Sequence, residues 1–146
     1  SVGPRSLDRA DTLEALKELE TKYPKEPVSM IARFHHVRYL LYTEGLEKLG
    51  NADPREREKA LKNVAESRKL TLELIADLGK KKEKALLQEA YVNAAIAEKT
   101  LIGSPVDTGK ADQAASYYDE AAKVFPDTEL AKKYTKEANE IRTNAE

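Results

Sequence analysis

The sequence contains no cysteine among its 146 residues. The chain therefore cannot form disulfides, use a thiolate nucleophile or hold a zinc or iron–sulfur site through cysteine ligands. The lack of cysteine does not identify the cellular compartment, because cysteine-free chains occur in the bacterial envelope as well as in the cytosol. Long apolar runs are also missing. None approaches the roughly 20 residues that a bilayer-spanning helix needs, so we expect no membrane insertion by this segment.

Helix-breaking and aromatic residues are scarce. The chain has six glycines, six prolines, two phenylalanines and no tryptophan, whereas 40% of its residues are hydrophobic and 35% are charged. The remainder is rich in alanine, leucine, glutamate and lysine, which lose little free energy on entering a helix. Apolar residues recur periodically, which favours a folded helical protein over a disordered one. The length fits a single domain, 1–146, with 1–5 as a disordered or cloning-derived leader.

An excess of one charge is also absent. The 25 basic and 26 acidic residues are well mixed and leave a net charge of −1. Nucleic-acid binding needs a clustered basic face, so we expect no nucleic-acid partner. One basic run stands out, formed by lysines at 80, 81, 82 and 84 and interrupted by Glu83. We interpret it as a solvated turn beside the C-terminus of a helix.

Helix-stopping residues divide the chain into six helical segments. Pro24 and Pro27 end the first, because neither can donate the next helical hydrogen bond. Asp53 is the predicted N-cap of the third, with Pro54 at its first position, and Gly79 is predicted to end it. The segments are expected at about 6–22, 28–49, 54–78, 83–102, 108–124 and from 128 to the terminus.

The last segment shows how the helices are expected to pack. It is capped by Asp127 or Thr128 and carries one narrow apolar stripe, typical of a terminal helix covered on one side. The stripe consists of Leu130, Tyr134, Ala138 and Ile141. No segment has the period-two alternation of a strand, and short connections favour antiparallel neighbours. The predicted fold class is all-α, built from stacked antiparallel helix hairpins.

The fifth segment combines small and aromatic residues at helical spacing. It reads Ala114-x3-Tyr118-x2-Ala121-Ala122-x3-Pro126. This pattern resembles the second helix of a tetratricopeptide repeat, in which small residues admit a neighbouring helix and proline ends the repeat. The first segment ends similarly in Tyr23-Pro24. Pro24 and Pro126 are 102 residues apart, three times the 34-residue period, yet two helix pairs lie between them and average about 51 residues each. The chain thus resembles an irregular tetratricopeptide-like right-handed α-solenoid with lengthened helices.

The resemblance implies a function and a surface. Tetratricopeptide-like proteins are non-enzymatic adaptors that bind a peptide or partner domain along a concave face lined by the first helix of each pair. Here those helices would be the second and fourth segments. The candidate groove residues, expected to face outward, are Arg33, His36, Tyr39, Glu89, Asn93 and Lys99. A weaker resemblance to envelope-associated helical-repeat proteins favours the bacterial periplasm over the cytoplasm.

Two other functions remain open. A small-molecule-binding helical bundle would enclose an apolar pocket near His36, Tyr39 and Tyr91. A structural module would form a homo-oligomer through the exposed face of the last helix.

Catalytic and cofactor chemistry finds no support in the motifs. His35 and His36 are adjacent and point about 100° apart on a helix, so they cannot chelate one metal as an i, i+4 pair does. The stretch from Gly103 to Lys110 has five residues between its glycines, and Ala111 stands where a phosphate-binding loop needs serine or threonine. We predict an inter-helix loop there, and no catalytic residue, metal or cofactor in the chain.

Overall fold

The computed structural model describes residues 9–24 and 26–145, with side chains from Leu13 onward in the first helix. The described residues form six α-helices: α1 (Arg9–Lys22), α2 (Pro27–Arg38), α3 (Pro54–Lys81), α4 (Lys84–Thr100), α5 (Ala111–Val124) and α6 (Glu129–Asn144). They contain no strand, only an isolated bridge between Ile102 and Gly109. The all-α prediction is confirmed. The predicted leader, 1–5, and the predicted helix start at 6 lie outside the described residues.

Local capping chemistry sets two helix starts, as predicted. The carboxylate of Asp53 accepts a hydrogen bond from the backbone N–H of Arg55 at 2.9 Å, and Pro54 occupies the first position of α3. Thr128 Oγ1 accepts from the backbone N–H of Ala131 at 3.1 Å and caps α6. Each cap satisfies a donor that the helix itself leaves unpaired.

The prediction that Gly79 ends the third helix is wrong. Helix α3 continues to Lys81, and Lys82 takes the left-handed conformation, with φ of 58°, that turns the chain into α4. Glycine inside a helix costs only about 1 kcal/mol relative to alanine, and Gly79 is exposed near the end. A long, well-capped helix with a buried apolar stripe tolerates that cost.

The second segment is not one helix to residue 49. It ends as an α-helix at Arg38 and continues as a π-helical segment over Tyr39–Thr43, where Glu44 N–H donates to Tyr39 O at 3.0 Å. A 3₁₀ turn, Leu46–Lys48, follows. Between them, a Cβ on Gly45 would lie 2.6 Å from Leu41 O and 2.7 Å from Val64 Cγ2. The chain can therefore bend against α3 only with glycine at this position.

The apolar stripe of α6 also differs from the prediction by one member. Leu130 is 48% exposed, whereas Ala131 is buried with Ala138 and Ile141. Tyr134 packs beside them, half-buried. The small alanine lets α6 approach α5 closely.

Consecutive helices pack antiparallel, and three apolar clusters hold α2 to α6 together. The first joins α2, α3 and α4 through Met30, Phe34, Val37, Leu74, Leu78 and Ala90. The second joins α4, α5 and α6 through Ala95, Ala114, Ala115, Tyr118, Ala138 and Ile141. The third joins the π-helical segment, α3 and the end of α4 through Leu41, Val64, Ala97 and Leu101. Helices α2 and α4 also touch directly and run parallel, because α3 lies between them in sequence. The right-handed superhelix stays a prediction.

The loop after α4 is fixed by a buried ion pair. Arg68 Nη1 lies 2.7 Å from Glu98 Oε2, and Arg68 Nη2 lies 2.7 Å from Asp107 Oδ2. Glu98 is only 5% exposed, and its Oε1 accepts from the backbone N–H of Lys110 at 3.1 Å. A Cβ on Gly109 would overlap the carbonyl oxygen of Glu98, so the loop needs glycine there. This stretch is an inter-helix loop, as predicted. None of the described helices combines the length and the apolar character needed to cross a membrane.

Candidate binding groove

An open groove of about 400 Å³ lies where α1 meets the C-terminal end of α2. Its lining residues are Leu16, His35, Arg38, Tyr39, Tyr42 and Thr43. The π-helical segment supplies half of them. Within it, Leu40 and Leu41 are buried in the core, while Tyr39 and Tyr42 lie on the groove side and are half-buried. Such π-bulges occur frequently at functional sites, because the extra residue re-aims the side chains around it.

Two side-chain contacts connect the groove to α4. The hydroxyl of Tyr42 donates to Oδ1 of Asn93 at 2.9 Å, and Arg38 Nε lies 4.0 Å from Glu89 Oε1. In each contact the two residues are 51 positions apart in sequence, which equals the average length of a helix pair estimated from the sequence. Positions four residues apart on α2 therefore face positions four residues apart on α4. The Arg38–Glu89 pair is about half exposed and contributes little stability by itself.

Asn93 is the buried end of this connection. It is only 2% exposed, so the prediction that it faces outward is wrong. Its neighbours along α4, Ala90, Ala94 and Ala97, are so small that α2, α3 and α5 close over the helix on most sides. Asn93 Nδ2 has no hydrogen-bond partner among the described residues. An unpaired buried amide of this kind costs about 1–3 kcal/mol.

Two further tyrosines, Tyr118 of α5 and Tyr134 of α6, lie near Tyr42 without lining the groove. The rings of Tyr118 and Tyr134 stack with their centroids 6.1 Å apart and their planes at 25°. Burial, with the nearby carboxylate of Glu137, raises the pKa of Tyr118 to about 12. Burial and the carboxylate of Glu89 also raise the pKa of Tyr134.

Tyr42 lies near Tyr134 and Glu89 as well, as the influences on its pKa show. Its pKa is raised by burial, which Arg38 opposes and Glu89 and Tyr134 reinforce. Glu89 of α4 thus influences a tyrosine of α2's π segment and a tyrosine of α6. We call this region the tyrosine face: Arg38, Tyr42, Glu89 and Tyr134 are at least partly exposed, and Asn93 and Tyr118, 2% and 7% exposed, are buried beneath them. Tyrosine hydroxyls are protonated hydrogen-bond donors at neutral pH even at their ordinary pKa, and the raised pKa values leave this unchanged.

The six predicted groove residues are not all together. Tyr39 lines the groove, and Glu89 and Asn93 belong to the tyrosine face. Arg33 instead lies 2.7 Å from Asp77 on α3, and this hydrogen bond lowers the pKa of Asp77.

His36 and Lys99 also lie away from the groove. His36 Nδ1 lies 3.0 Å from Glu20 Oε2, so the imidazole faces α1. Lys99 is exposed at a separate hollow of about 360 Å³ near the ends of α4 and α6, which Ile102 and Ile141 also line. These two residues therefore do not contribute to one surface with Tyr39.

The residues proposed to enclose a small-molecule pocket are also apart. Tyr91 lies on the α5 side of α4, where burial and the charge of Glu120 raise its pKa. Neither Tyr91 nor His36 lines the groove that Tyr39 lines.

Seven residues of the groove and the tyrosine face were missed from sequence: Leu16, His35, Arg38, Tyr42, Thr43, Tyr118 and Tyr134. A usable signal existed in the spacing. Arg38 and Tyr42, like Glu89 and Asn93, form an i, i+4 pair, and the two pairs are offset by the helix-pair length of 51. Tyr134 could not be found this way, because α6 follows a shorter connection.

A larger hollow of about 920 Å³ lies on the outer side of α5 and α6. Its charged lining residues include Asp119, Lys123 and Lys132, which pair locally with Arg142, Glu120 and Glu129. Among the described residues, no unpaired buried polar atom points to a ligand there. We therefore place the candidate site at the groove and the tyrosine face.

Among the described residues, no three metal-ligating side chains come together. Comparison of the chain with protein-family models, with curated proteins and with solved structures returned no match.

Proposed function

We propose that this chain is a non-catalytic interaction module that holds an extended peptide segment of a partner protein across the groove and the tyrosine face. The observation that carries the proposal is the proximity of Tyr42 to the stacked Tyr118 and Tyr134 and to the Arg38–Glu89 pair, next to an open groove. Tyrosine and arginine are the residue types most often responsible for binding energy at protein interfaces.

The chemistry of this surface suits a peptide. A tyrosine presents an apolar ring for side-chain contact and a hydroxyl for a backbone carbonyl, at a low cost in conformational entropy. Arg38 and Glu89 are weakly paired at 4.0 Å and can each recognise an opposite charge. Asn93 is buried and holds Tyr42 in place by accepting its hydroxyl hydrogen bond. The combination favours a polar and aromatic peptide over a purely apolar ligand.

The tetratricopeptide resemblance supports the same surface. In that family the first helices of successive pairs lie side by side and line the binding face. Helices α2 and α4, which the resemblance assigns to this role, are parallel and in contact here. Membership of the family is part of the proposal.

Selection from a displayed library of random linear peptides tests the function. We expect enriched peptides that bind the chain in the micromolar range, with affinity at least tenfold lower for an Arg38→Ala, Tyr42→Ala, Tyr134→Ala variant. A matched control carries Arg55→Ala, Leu72→Ala and Tyr23→Ala, which are exposed and lie away from the tyrosine face.

The result separates the competing functions. Peptides that bind both variants equally would place the site elsewhere on the surface. A library that yields no binder, together with thermal stabilisation by a small metabolite, would instead support the small-molecule-binding bundle.

A further inference from the structure

The turns that follow α1, α3 and α5 lie at one edge of the helix stack. Contacts between the N-terminal half of one helix and the C-terminal half of its neighbour fix this arrangement: Arg33 with Asp77, and Gln88 Nε2 with Ala121 O at 3.1 Å. We name this region, formed by residues 22–24, 26–31, 80–86 and 125–130, the turn edge. The groove lies toward the opposite end of α2.

Apolar side chains are concentrated at the turn edge. In the described part of the chain, seven large apolar side chains are exposed, and five belong to this edge: Tyr23, Val28, Ile31, Phe125 and Leu130. Ile31 is 50% exposed although it lies on a helix with a well-formed core face. A cleft of about 110 Å³ beside it, lined in part by Lys81 and Leu86, joins this apolar surface to the basic run. Clustered exposure of this kind marks an interaction surface.

The basic run at the turn edge is not explained by helix capping alone. Lysines near the C-terminus of α3 interact favourably with the helix dipole, which accounts for Lys80 and Lys81. Lys84 opens α4, where the dipole disfavours a positive charge, and Lys82 lies between the two helices. All four lysines are exposed, and Glu83 is the acidic residue within the run; Glu26, Asp127 and Glu129 are the other exposed acidic residues of the turn edge. The sequence thus keeps two positive charges where the fold does not favour them.

We propose that the turn edge docks on the surface of an anionic lipid bilayer. The lysines at 80, 81, 82 and 84 contact the headgroup phosphates, and Val28 and Ile31 enter the boundary between headgroups and acyl chains. Ile31, exposed beside Lys81 in the cleft, matches the layering of such a surface, with negative charge outside and apolar material beneath, whereas Asp127 and Glu129 flank Phe125 and Leu130. The exposed apolar side chains form an edge and not a groove, which makes a flat surface a better partner than an acidic peptide. The groove, at the opposite end of α2, stays accessible when the turn edge is docked.

Co-sedimentation with vesicles tests this proposal. We expect the chain to bind phosphatidylcholine vesicles that contain phosphatidylglycerol, and not vesicles of phosphatidylcholine alone, with binding that weakens as salt rises. Changing the four lysines to glutamine lowers the partition constant by about tenfold or more. Ile31→Ser weakens binding and leaves the salt dependence unchanged. A matched control removes four exposed lysines elsewhere: Lys59→Gln, Lys62→Gln, Lys69→Gln and Lys136→Gln.

Each remaining outcome contradicts the proposal. Equal losses in the two quadruple variants would mean that net charge, and not this edge, controls binding. Equal binding to both kinds of vesicle would remove the role of the lysines. Capture of polyglutamate with no vesicle binding would assign the edge to an acidic protein segment. Circular dichroism confirms that each variant remains folded, which the exposure of the changed residues leads us to expect.

Discussion

The hydroxyl of Tyr42 donates a hydrogen bond to Oδ1 of Asn93 at 2.9 Å, across 51 residues of sequence. It connects the π-helical segment of α2 to the buried face of α4. The other half of the Asn93 amide has no partner among the described residues. Tyr42 is therefore both a support for Asn93 and a member of the groove lining.

Replacing Tyr42 tests this connection. Tyr42→Phe leaves both polar atoms of the Asn93 side chain unpaired, so we expect it to lower the free energy of unfolding by about 1–3 kcal/mol. In the double variant with Asn93→Leu, both polar partners are gone and most of the loss is recovered, because paired apolar replacement is nearly neutral. Urea denaturation of the wild type, the two single variants and the double variant measures the coupling. Strictly additive losses would show that the two side chains do not interact.

Arg68 pairs with two carboxylates that differ in burial: Glu98 is buried and Asp107 is exposed. Arg68→Met leaves Glu98 charged and buried without its partner, and we expect a loss of about 3–5 kcal/mol. Asp107 is 67% exposed, so Asp107→Asn should cost no more than about 1 kcal/mol. Urea denaturation of the two variants, measured side by side, compares their losses of unfolding free energy. A loss for Asp107→Asn as large as that for Arg68→Met would contradict the assigned burial of Glu98.

Two glycines should respond in opposite directions to the same substitution. Gly45→Ala forces a methyl group against Leu41 O and Val64 Cγ2, and we expect a loss of about 1–3 kcal/mol. A methyl group added at Gly79 would meet no heavy atom within 4 Å, and the residue lies inside α3, so Gly79→Ala should add about 0.5–1 kcal/mol. Thermal unfolding of both variants provides the measurement. If Gly79→Ala destabilised the protein, α3 would not extend beyond that residue in solution.

The Arg33–Asp77 ion pair predicts a pH dependence. Its hydrogen bond lowers the pKa of Asp77 below the ordinary 3.8. A depressed carboxyl pKa stabilises the fold above its unfolded-state value, and this contribution disappears as pH falls through the folded-state value. Because the pair is partly exposed, Arg33→Gln should cost about 0.2–1 kcal/mol at pH 7 and almost nothing below the folded-state pKa.

An NMR titration of the Asp77 carboxyl carbon checks this directly. In the Arg33→Gln variant the pKa should rise toward its ordinary value. An unchanged titration midpoint would mean that the two side chains are not paired in solution.

The parts of the fold that depend on local sequence could be predicted. Asp53 and Thr128 cap their helices through backbone donors two and three residues away, so the sequence contains both partners of each bond. The features that depend on a contact between residues far apart in sequence could not be predicted. The bend at Gly45 exists because the chain passes against Val64, and no proline or turn motif marks it.

The site was predicted in part for the same reason. Tyr39, Glu89 and Asn93 were found because helix periodicity and the resemblance both direct attention to α2 and α4. Arg33 was wrongly assigned to the groove. Successive residues of a helix point in different directions, so a shift of one position decides whether a side chain contacts α3, as Arg33 does, or lines the groove. The burial of Asn93 depends on how closely α2, α3 and α5 cover α4, which the pattern of α4 alone does not determine.

Site-specific photo-crosslinking in native lysate tests the central claim most directly. A photoreactive phenylalanine replaces Thr43, which lines the groove, or Leu72, an exposed residue on α3. We expect a discrete protein adduct from position 43 that the Arg38→Ala, Tyr42→Ala, Tyr134→Ala changes abolish, and none from position 72. Equal adducts from both positions, or an adduct from position 72 alone, would contradict a partner-binding role for the groove and the tyrosine face.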